Sequence, residues 1–324
     1  VRIEPRDGGP PLAEGKDYTL DTRWAAFALT PGGRLRPGDR VKVSYEYSLR
    51  RVDALAIEKD GRPACIPGKP LADCPVPPNV PEGMLFKAHI YRPFNADIIE
   101  PHHVYTYEEA GAVLEPYDGP KPTRAIEKLR AGKPMTVVCW GDSVTACGDA
   151  STPERCYVKL FETGLREKYP KATIRVINAG IGGTSTPGRL PTFQKEVLDH
   201  KPDLVTLEFV NDMGLPADVL QKNYDEILRR ATAAGAELIL ITPHFTMPEW
   251  MNLPHGRGPD SRPAVAFLRK FAEEHRVPLA DAAARWEMLA EDAIPYETLL
   301  RNGINHPDDR GHALFAEELM RVMD

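Results

Sequence analysis

Residues 135–145 read Met135-Thr-Val-Val-Cys-Trp140-Gly-Asp-Ser-Val-Thr145. The first six form an apolar run suited to a strand buried on both faces, as in a parallel sheet. The chemistry then changes abruptly. Gly141 permits a tight turn, Asp142 can cap the backbone that follows, and Ser143 can present its hydroxyl at the rim of the sheet. Alone, Gly-Asp-Ser is an ordinary turn composition. Its weight comes from the segments around it.

Outward from this stretch, toward the C-terminus, the rhythm of a helix-and-strand alternation continues. Tyr157, Leu160, Phe161 and Leu165 fall at helical spacing within 154–168. Strands are expected at 172–177, 203–210, 237–242 and 277–280, and helices at 191–200, 217–234 and 262–275. Such alternation implies a parallel sheet covered on both faces, with working residues in the loops beyond the carboxyl ends of the strands.

Toward the N-terminus the character is different. Val41–Ser48 alternates apolar and polar residues with the period of a strand, and Pro-Gly and Asp-Gly pairs punctuate short runs. A small β-sandwich or jelly-roll-like domain is expected over 1–118. Residues 63–81 are too rich in proline for a central strand or a helix interior. Residues 115–122 read as a stiff linker, so the α/β domain is expected over 119–324.

The chain has 324 residues, 42% hydrophobic and 27% charged, which fits an ordinary globular protein. A net charge of -6 with no basic run excludes a nucleic-acid footprint. No apolar stretch is long enough to span a membrane. The chain opens on Val1 rather than Met, the expectation for a processed or excised product. Cys65 and Cys74 are nine apart, as are Cys147 and Cys156, with Cys139 left in a strand. Two local disulfides suit a secreted or periplasmic protein; five reduced thiols in the cytoplasm are the alternative. No zinc-ribbon spacing occurs, and His306 and His312 have no evident third metal ligand. No metal or cofactor is expected, and the sequence sets no oligomeric state.

Four segments occupy expected strand-end loops. They are Gly141-Asp-Ser143, Asn178-Ala-Gly-Ile-Gly-Gly183, Val210-Asn211-Asp212, and Asn302-Gly-Ile-Asn-His306-Pro-Asp-Asp-Arg-Gly-His312. Glycines in the second allow backbone N–H groups to approach a ligand oxygen. It is not a dinucleotide loop, since Ser185 stands where a third glycine is needed. The Asn211 amide can donate to a developing oxyanion. A histidine ahead of a helix can reach a distant serine and accept its proton.

In order and placement these blocks resemble the SGNH (GDSL-like) hydrolase superfamily, over roughly residues 130–324. The resemblance implies a flavodoxin-like parallel-sheet domain and a serine esterase with Ser143 as nucleophile and His306 as base. It implies an oxyanion hole from the N–H groups of Ser143 and Gly183 (Gly182 as the fallback) and the Asn211 amide. Two positions depart from the family pattern. Phe209 replaces the glycine of the third block. Gly303 stands three residues before His306, where the family has its acid, and Asn302 is the nearest alternative. A Ser-His dyad is therefore expected, with Asn302 as orienter. Asp308 and Asp309 lie on the wrong side of the motif, and Asp281 is a distant candidate acid.

The expected substrate is a small acyl ester, acetyl foremost, on a carbohydrate. Trp24, Tyr45, Tyr47, Tyr91, Tyr105 and Tyr107 are candidate sugar-stacking residues or, equally, sandwich core. His244 and Trp250 are candidates for lining the substrate pocket. An acyltransferase with the same residues, and a glycan- or partner-binding protein built on a decayed hydrolase, are the rival readings.

Overall fold

The computed structural model describes residues 1–22, 26–94, 98–107, 113–251 and 260–324. Its contacts divide the chain into two compact units, Val1–Ser48 and Leu49–Asp324. Trp24 lies outside the described residues.

In the smaller unit, β1 (Arg2–Pro5) pairs antiparallel with β4 (Val41–Ser44), and β2 (Tyr18–Asp21) with β3 (Ala26–Leu29). Ile3, Leu12, Tyr18 and Leu35 form its small apolar centre. Asp17, whose side chain is fully buried, takes a forked contact from Arg34 and two backbone N–H groups. The Arg34 guanidinium holds the Asp17 carboxyl far below the usual carboxylate range. Tyr45 and Tyr47, just past β4, stand in solvent rather than in a core.

The larger unit begins with a four-stranded antiparallel sheet in the order β6-β5-β7-β8, from β5 (Arg51–Ile57), β6 (Pro63–Ile66), β7 (Leu85–Arg92) and β8 (Val104–Thr106). β6 carries Pro63 at its first position and lies at the edge, where a missing N–H costs no ladder bond. Tyr91 and Tyr105 are buried in this layer with Val52 and Ala293, whereas Tyr107 is exposed. The sheet belongs to the same compact unit as the helices that follow.

The main sheet is fully parallel. β9 (Met135–Gly141), β10 (Ile174–Gly180), β11 (Leu204–Glu208), β12 (Glu237–Ile241) and β13 (Leu279–Ala280) lie in the order β10-β9-β11-β12-β13. This is the doubly wound, flavodoxin-like order, in which the chain reverses direction between the first and third strands. Alternation along β9 explains the two cores. Val137 and Cys139 face a layer built from α1 (Thr123–Arg130), α2 (Tyr157–Lys168) and α9 (Asp309–Val322). Val138 and Trp140 face the opposite layer, containing α5 (Ala217–Ala233) and α7 (Pro263–His275).

The expected helix over 191–200 is broken. Only α4 (Phe193–Glu196) is α-helical, with tight turns on either side, because Val197 leaves helical geometry (φ -123°, ψ -63°) and sends itself and Leu198 into the core. α3 (Thr186–Arg189) and α8 (Ala282–Leu289) complete the scaffold near the site, with α6 (Pro248–Met251) in the loop after β12.

Candidate active site

The four loops converge at the carboxyl edge of the parallel sheet. Register brings three of them together, since Gly141 at the end of β9 lies opposite Gly180 of β10 and Glu208 of β11; the His306 loop joins them at Ser143. Gly141 is under compulsion, since a Cβ there would sit 2.0 Å from the Thr145 hydroxyl and 2.2 Å from the Glu208 carbonyl. Gly180 is equally tight against Thr145 and Ala146. The nucleophile turn is thus clamped between two backbones that only glycine admits.

Ser143 and His306, 163 residues apart, meet with Oγ 2.9 Å from Nε2. His306 Nδ1 lies 2.8 Å from Asp149 Oδ2. The carboxylate accepts from Nδ1–H, so the lone pair falls on Nε2 and faces the Ser143 hydroxyl. Ser143, His306 and Asp149 thus form a continuous hydrogen-bonded line, an arrangement that can serve as nucleophile, base and orienting carboxylate. The ring also has no room beneath it. A Cβ on Gly148 would stand 3.1 Å and 3.2 Å from His306 Cε1 and Nδ1, and 2.8 Å from the Ser143 carbonyl.

The residue at His306 Nδ1 differs from the expected orienter. Asn302 makes no hydrogen bond to the imidazole ring. Its Oδ1 accepts from the backbone N–H groups of Ile304, Asn305 and His306, at 2.9, 2.9 and 3.0 Å. It folds the loop and leaves the ring to Asp149. The other carboxylates are engaged elsewhere: Asp281 with Arg269 and Thr242, Asp308 as cap of α9, Asp309 with Ser151. Asp149 is absent from the sequence expectations because it lies in the Ser143 loop. Its signal was a carboxylate directly after a glycine, inside the Cys147–Cys156 pair.

Asn211 and the glycine loop are joined. The Asn211 side-chain amide donates to the Thr184 carbonyl at 3.0 Å, and its backbone N–H donates to Asp142 at 2.9 Å. Gly182 lies against Ser143, with its Cβ position 3.6 Å from that of the serine, and Gly183 follows with φ +70°.

Beneath the turn lies a buried acidic group. Asp142 accepts from the N–H groups of Val144 and Asn211; Glu208 accepts from Thr145 Oγ1 and the Val210 N–H. Burial pushes both carboxyls upward; the Asp142 charge raises Glu208 further, and the Asp212 charge raises Asp142. Asp212 accepts from the Thr186 N–H and hydroxyl and from Tyr224, yet burial still lifts it to about 6.

His244 is fully buried against Trp286 and Phe315, contrary to a pocket-lining role. Burial holds its ring neutral, and Nε2–H donates to the Asn305 carbonyl at 2.8 Å, next to His306. Trp250, on α6, is half exposed. His312 also stays neutral by burial; its Nδ1 accepts from the Tyr157 N–H and its Nε2–H donates to the Gly148 carbonyl. Among the described residues no cluster of three or more His, Cys, Asp or Glu side chains could hold a metal ion, and no helix is long and apolar enough to cross a membrane.

The cysteines divide unevenly. Cys147 and Cys156 form a disulfide, while Cys65 and Cys74, expected to pair, are free. Cys65 is exposed on edge strand β6; Cys74 is half-buried, and burial together with Asp308 pushes its thiol up to about 12.

An acetylxylan esterase from Geobacillus stearothermophilus is 26% identical over 215 residues, 60% of this chain and 95% of that protein. The esterase TesA of Pseudomonas aeruginosa is 30% identical over 141 residues, 42% and 63% of the two chains. A two-domain esterase active on acetylated mannans superposes with a TM-score of 0.54 at 23% identity, covering 62% of this chain and 52% of that one. This chain therefore spans about half of that enzyme's length, and the likeness is one of fold. Residues 139–314 match the GDSL-like lipase/acylhydrolase family, and with more than half of its length inside that match the chain belongs to this family of esterases.

Proposed function

We propose that this esterase removes small acyl groups, acetyl foremost, from a carbohydrate. Ser143 is the nucleophile, His306 the general base and Asp149 its partner. The observation that carries the reading is the unbroken relay from Asp149 through His306 to Ser143, with spacings of 2.8 and 2.9 Å. A decayed hydrolase kept only for binding would have no reason to retain it.

The chemistry follows from the atoms. His306 Nε2 takes the Ser143 proton as Oγ bonds to the ester carbonyl carbon, and the carbonyl oxygen becomes an oxyanion. Donors for it are the N–H groups of Ser143 and Gly183 and the Asn211 amide, each worth about 10²–10³ in rate in such sites. The imidazolium, stabilised by Asp149, returns its proton to the departing alcohol as the C–O bond breaks. A water then gives its proton to His306 as its oxygen bonds to the acyl carbon, and His306 returns that proton to Ser143 Oγ as the acyl C–Oγ bond breaks and the acid leaves.

Carbohydrate preference is supported by relatives that act on acetylated xylan and, for the fold, acetylated mannan. Trp250, half exposed after β12, is a face on which a sugar ring can stack. The disulfide supports an oxidising compartment outside the cytoplasm.

Ser143→Ala tests the reaction. It should abolish hydrolysis of p-nitrophenyl acetate without lowering the melting temperature, and retained turnover would rule the mechanism out. A panel of acetylated oligosaccharides against p-nitrophenyl esters of rising chain length tests the substrate. Preference for long acyl chains would overturn the carbohydrate reading.

A further inference from the structure

The acid arm of the relay sits on an unusual turn. Cys147 and Asp149 both occupy the left-handed region, at φ +70° and +60°, although neither is glycine. Such residues persist there only where the surroundings over-determine the backbone. Asp149 itself does not hold the turn. Its side chain is 37% exposed, and a solvated ion pair is worth at most about 1 kcal/mol.

The loop has its own backbone bonds, Gly148 N–H to the Ser143 carbonyl and Ala150 N–H to the Cys147 carbonyl, and the Asn178 amide reaches Cys147 Sγ. Beyond these, three ties anchor it to the helices. The Gly148 carbonyl accepts from His312. Ser151 donates its N–H and hydroxyl to the Asp309 carboxylate at 2.8 and 2.6 Å. Both of these come from α9. The third is covalent and comes from another element: Cys147 Sγ is bonded to Cys156, which is fully buried at the entrance to α2. It acts two residues before Asp149 and one before Gly148, the residue on which the His306 ring rests.

We propose that the Cys147–Cys156 disulfide is a positioning device for Asp149, so that full activity requires the bond intact. The inference rests on Asp149 being the partner of His306. Without the cross-link, Cys147 relaxes out of the left-handed region and Asp149 swings from Nδ1. His306 keeps Ser143 but loses the group that fixes its tautomer and stabilises its cation. A dithiol reductant would bring this about: it supplies two electrons and two protons, the S–S bond becomes two thiols, and the reductant leaves as its own disulfide. The half-buried Cys147 side gives it access.

The test compares wild type with Asp149→Asn, each oxidised and reduced, using p-nitrophenyl acetate. Alkylation reports the state: three thiols become five on reduction. Reduction should lower the wild-type kcat by roughly tenfold with KM unchanged, within the approximately 10⁴-fold range seen when such an acid is lost outright. Reoxidation should restore it. Asp149→Asn should already be slow, and reduction should change it by less than about twofold, because the disulfide acts through the missing carboxylate. An equal loss in both proteins would mean general structural support and overturn the proposal. An unchanged wild-type kcat with five thiols counted, beside a slow Asp149→Asn, would overturn it while leaving the acid assignment standing. An Asp149→Asn as fast as wild type would sink both. Should the reduced protein unfold, Cys147→Ala/Cys156→Ala replaces it. Alanine keeps the Cβ that makes the left-handed backbone costly; a wild-type kcat in this variant would refute the positioning role.

Discussion

Gly148→Ala is the sharpest probe of the catalytic geometry, because the structure fixes both the direction and the size of the displacement. The added Cβ would stand 2.8 Å from the Ser143 carbonyl oxygen and 3.1 and 3.2 Å from the His306 ring, where ordinary contact begins at 3.4 Å. Relief asks for about 0.6 Å at the carbonyl and 0.2–0.3 Å at the ring. The carbonyl is tied to the Gly148 N–H at 2.7 Å and belongs to the nucleophile, so motion of either partner stretches the 2.9 Å contact between Ser143 and His306. A 1 Å misplacement of reacting groups costs about 10²-fold, so a shift of a few tenths should cost roughly tenfold in kcat. KM should hold, since the methyl enters behind the imidazole. Steady-state kinetics on p-nitrophenyl acetate read this directly. Gly188→Ala, with nothing within 4 Å of its Cβ position, serves as control and should match wild type. A Gly148→Ala enzyme within twofold of the wild-type kcat would refute the claim that His306 is seated on that glycine.

Three further outcomes follow from the same contacts. Asn302→Ala removes an acceptor shared by three N–H groups of the His306 loop and should lower kcat severalfold, whereas Asn302→Asp keeps the oxygen and should retain most activity; equal losses would show that the amide N–H groups matter. Asp212 has its folded pKa raised from 3.8 to about 6, so the native state holds its proton longer than the unfolded chain does. Its contribution to stability is therefore greatest below pH 4 and declines by about 3 kcal/mol as pH rises through 6. Denaturant midpoints for wild type and Asp212→Asn across that window should converge toward acid pH in a way parallel curves would contradict. Arg50 is buried and donates to the Glu297 and Leu300 carbonyls, tying the residue before β5 to the segment that leads into the His306 loop. Arg50→Met should cost about 1–3 kcal/mol in thermal unfolding for the charge-assisted bonds lost, although each carbonyl keeps a backbone donor (Leu300 N–H on Glu297, Gly303 N–H on Leu300); an unshifted transition would show that Arg50 does not tie the two segments.

The meeting of Ser143 and His306 was legible because each stands in a motif whose neighbours are backbone requirements. Gly141 and Gly180 are where a Cβ would strike a carbonyl or a neighbouring strand, and such residues leave a mark in sequence whatever the substrate. The parallel sheet was legible from unbroken apolar runs with alternating partners above and below, as Val137 and Val138 show. Residues 191–200 misled because apolar spacing counts side chains and takes no account of Val197 leaving helical geometry. His244 misled for a related reason. Its position after β12 was right, but a strand end also has a buried side, and only packing against Trp286 and Phe315 tells which side a ring takes.

The acid is the instructive case, because chemistry constrains it less than any other member of the site. The nucleophile must sit on a turn, and the base must reach it. The carboxylate need only arrive at Nδ1, from whatever direction the chain supplies. A search confined to the residues before His306 finds Gly303 at the acid position and stops at a dyad. In three dimensions the space beside Nδ1 is bordered by the nucleophile loop as much as by the histidine loop, since Gly148 lies directly under the ring. A carboxylate one residue beyond that glycine reaches Nδ1 with no further excursion of the chain, at the cost of two left-handed residues that a cross-link and α9 hold in place. Loss of the acid from its motif thus removes one position without removing the interaction, and the place to look for its replacement is the loop that already touches the ring.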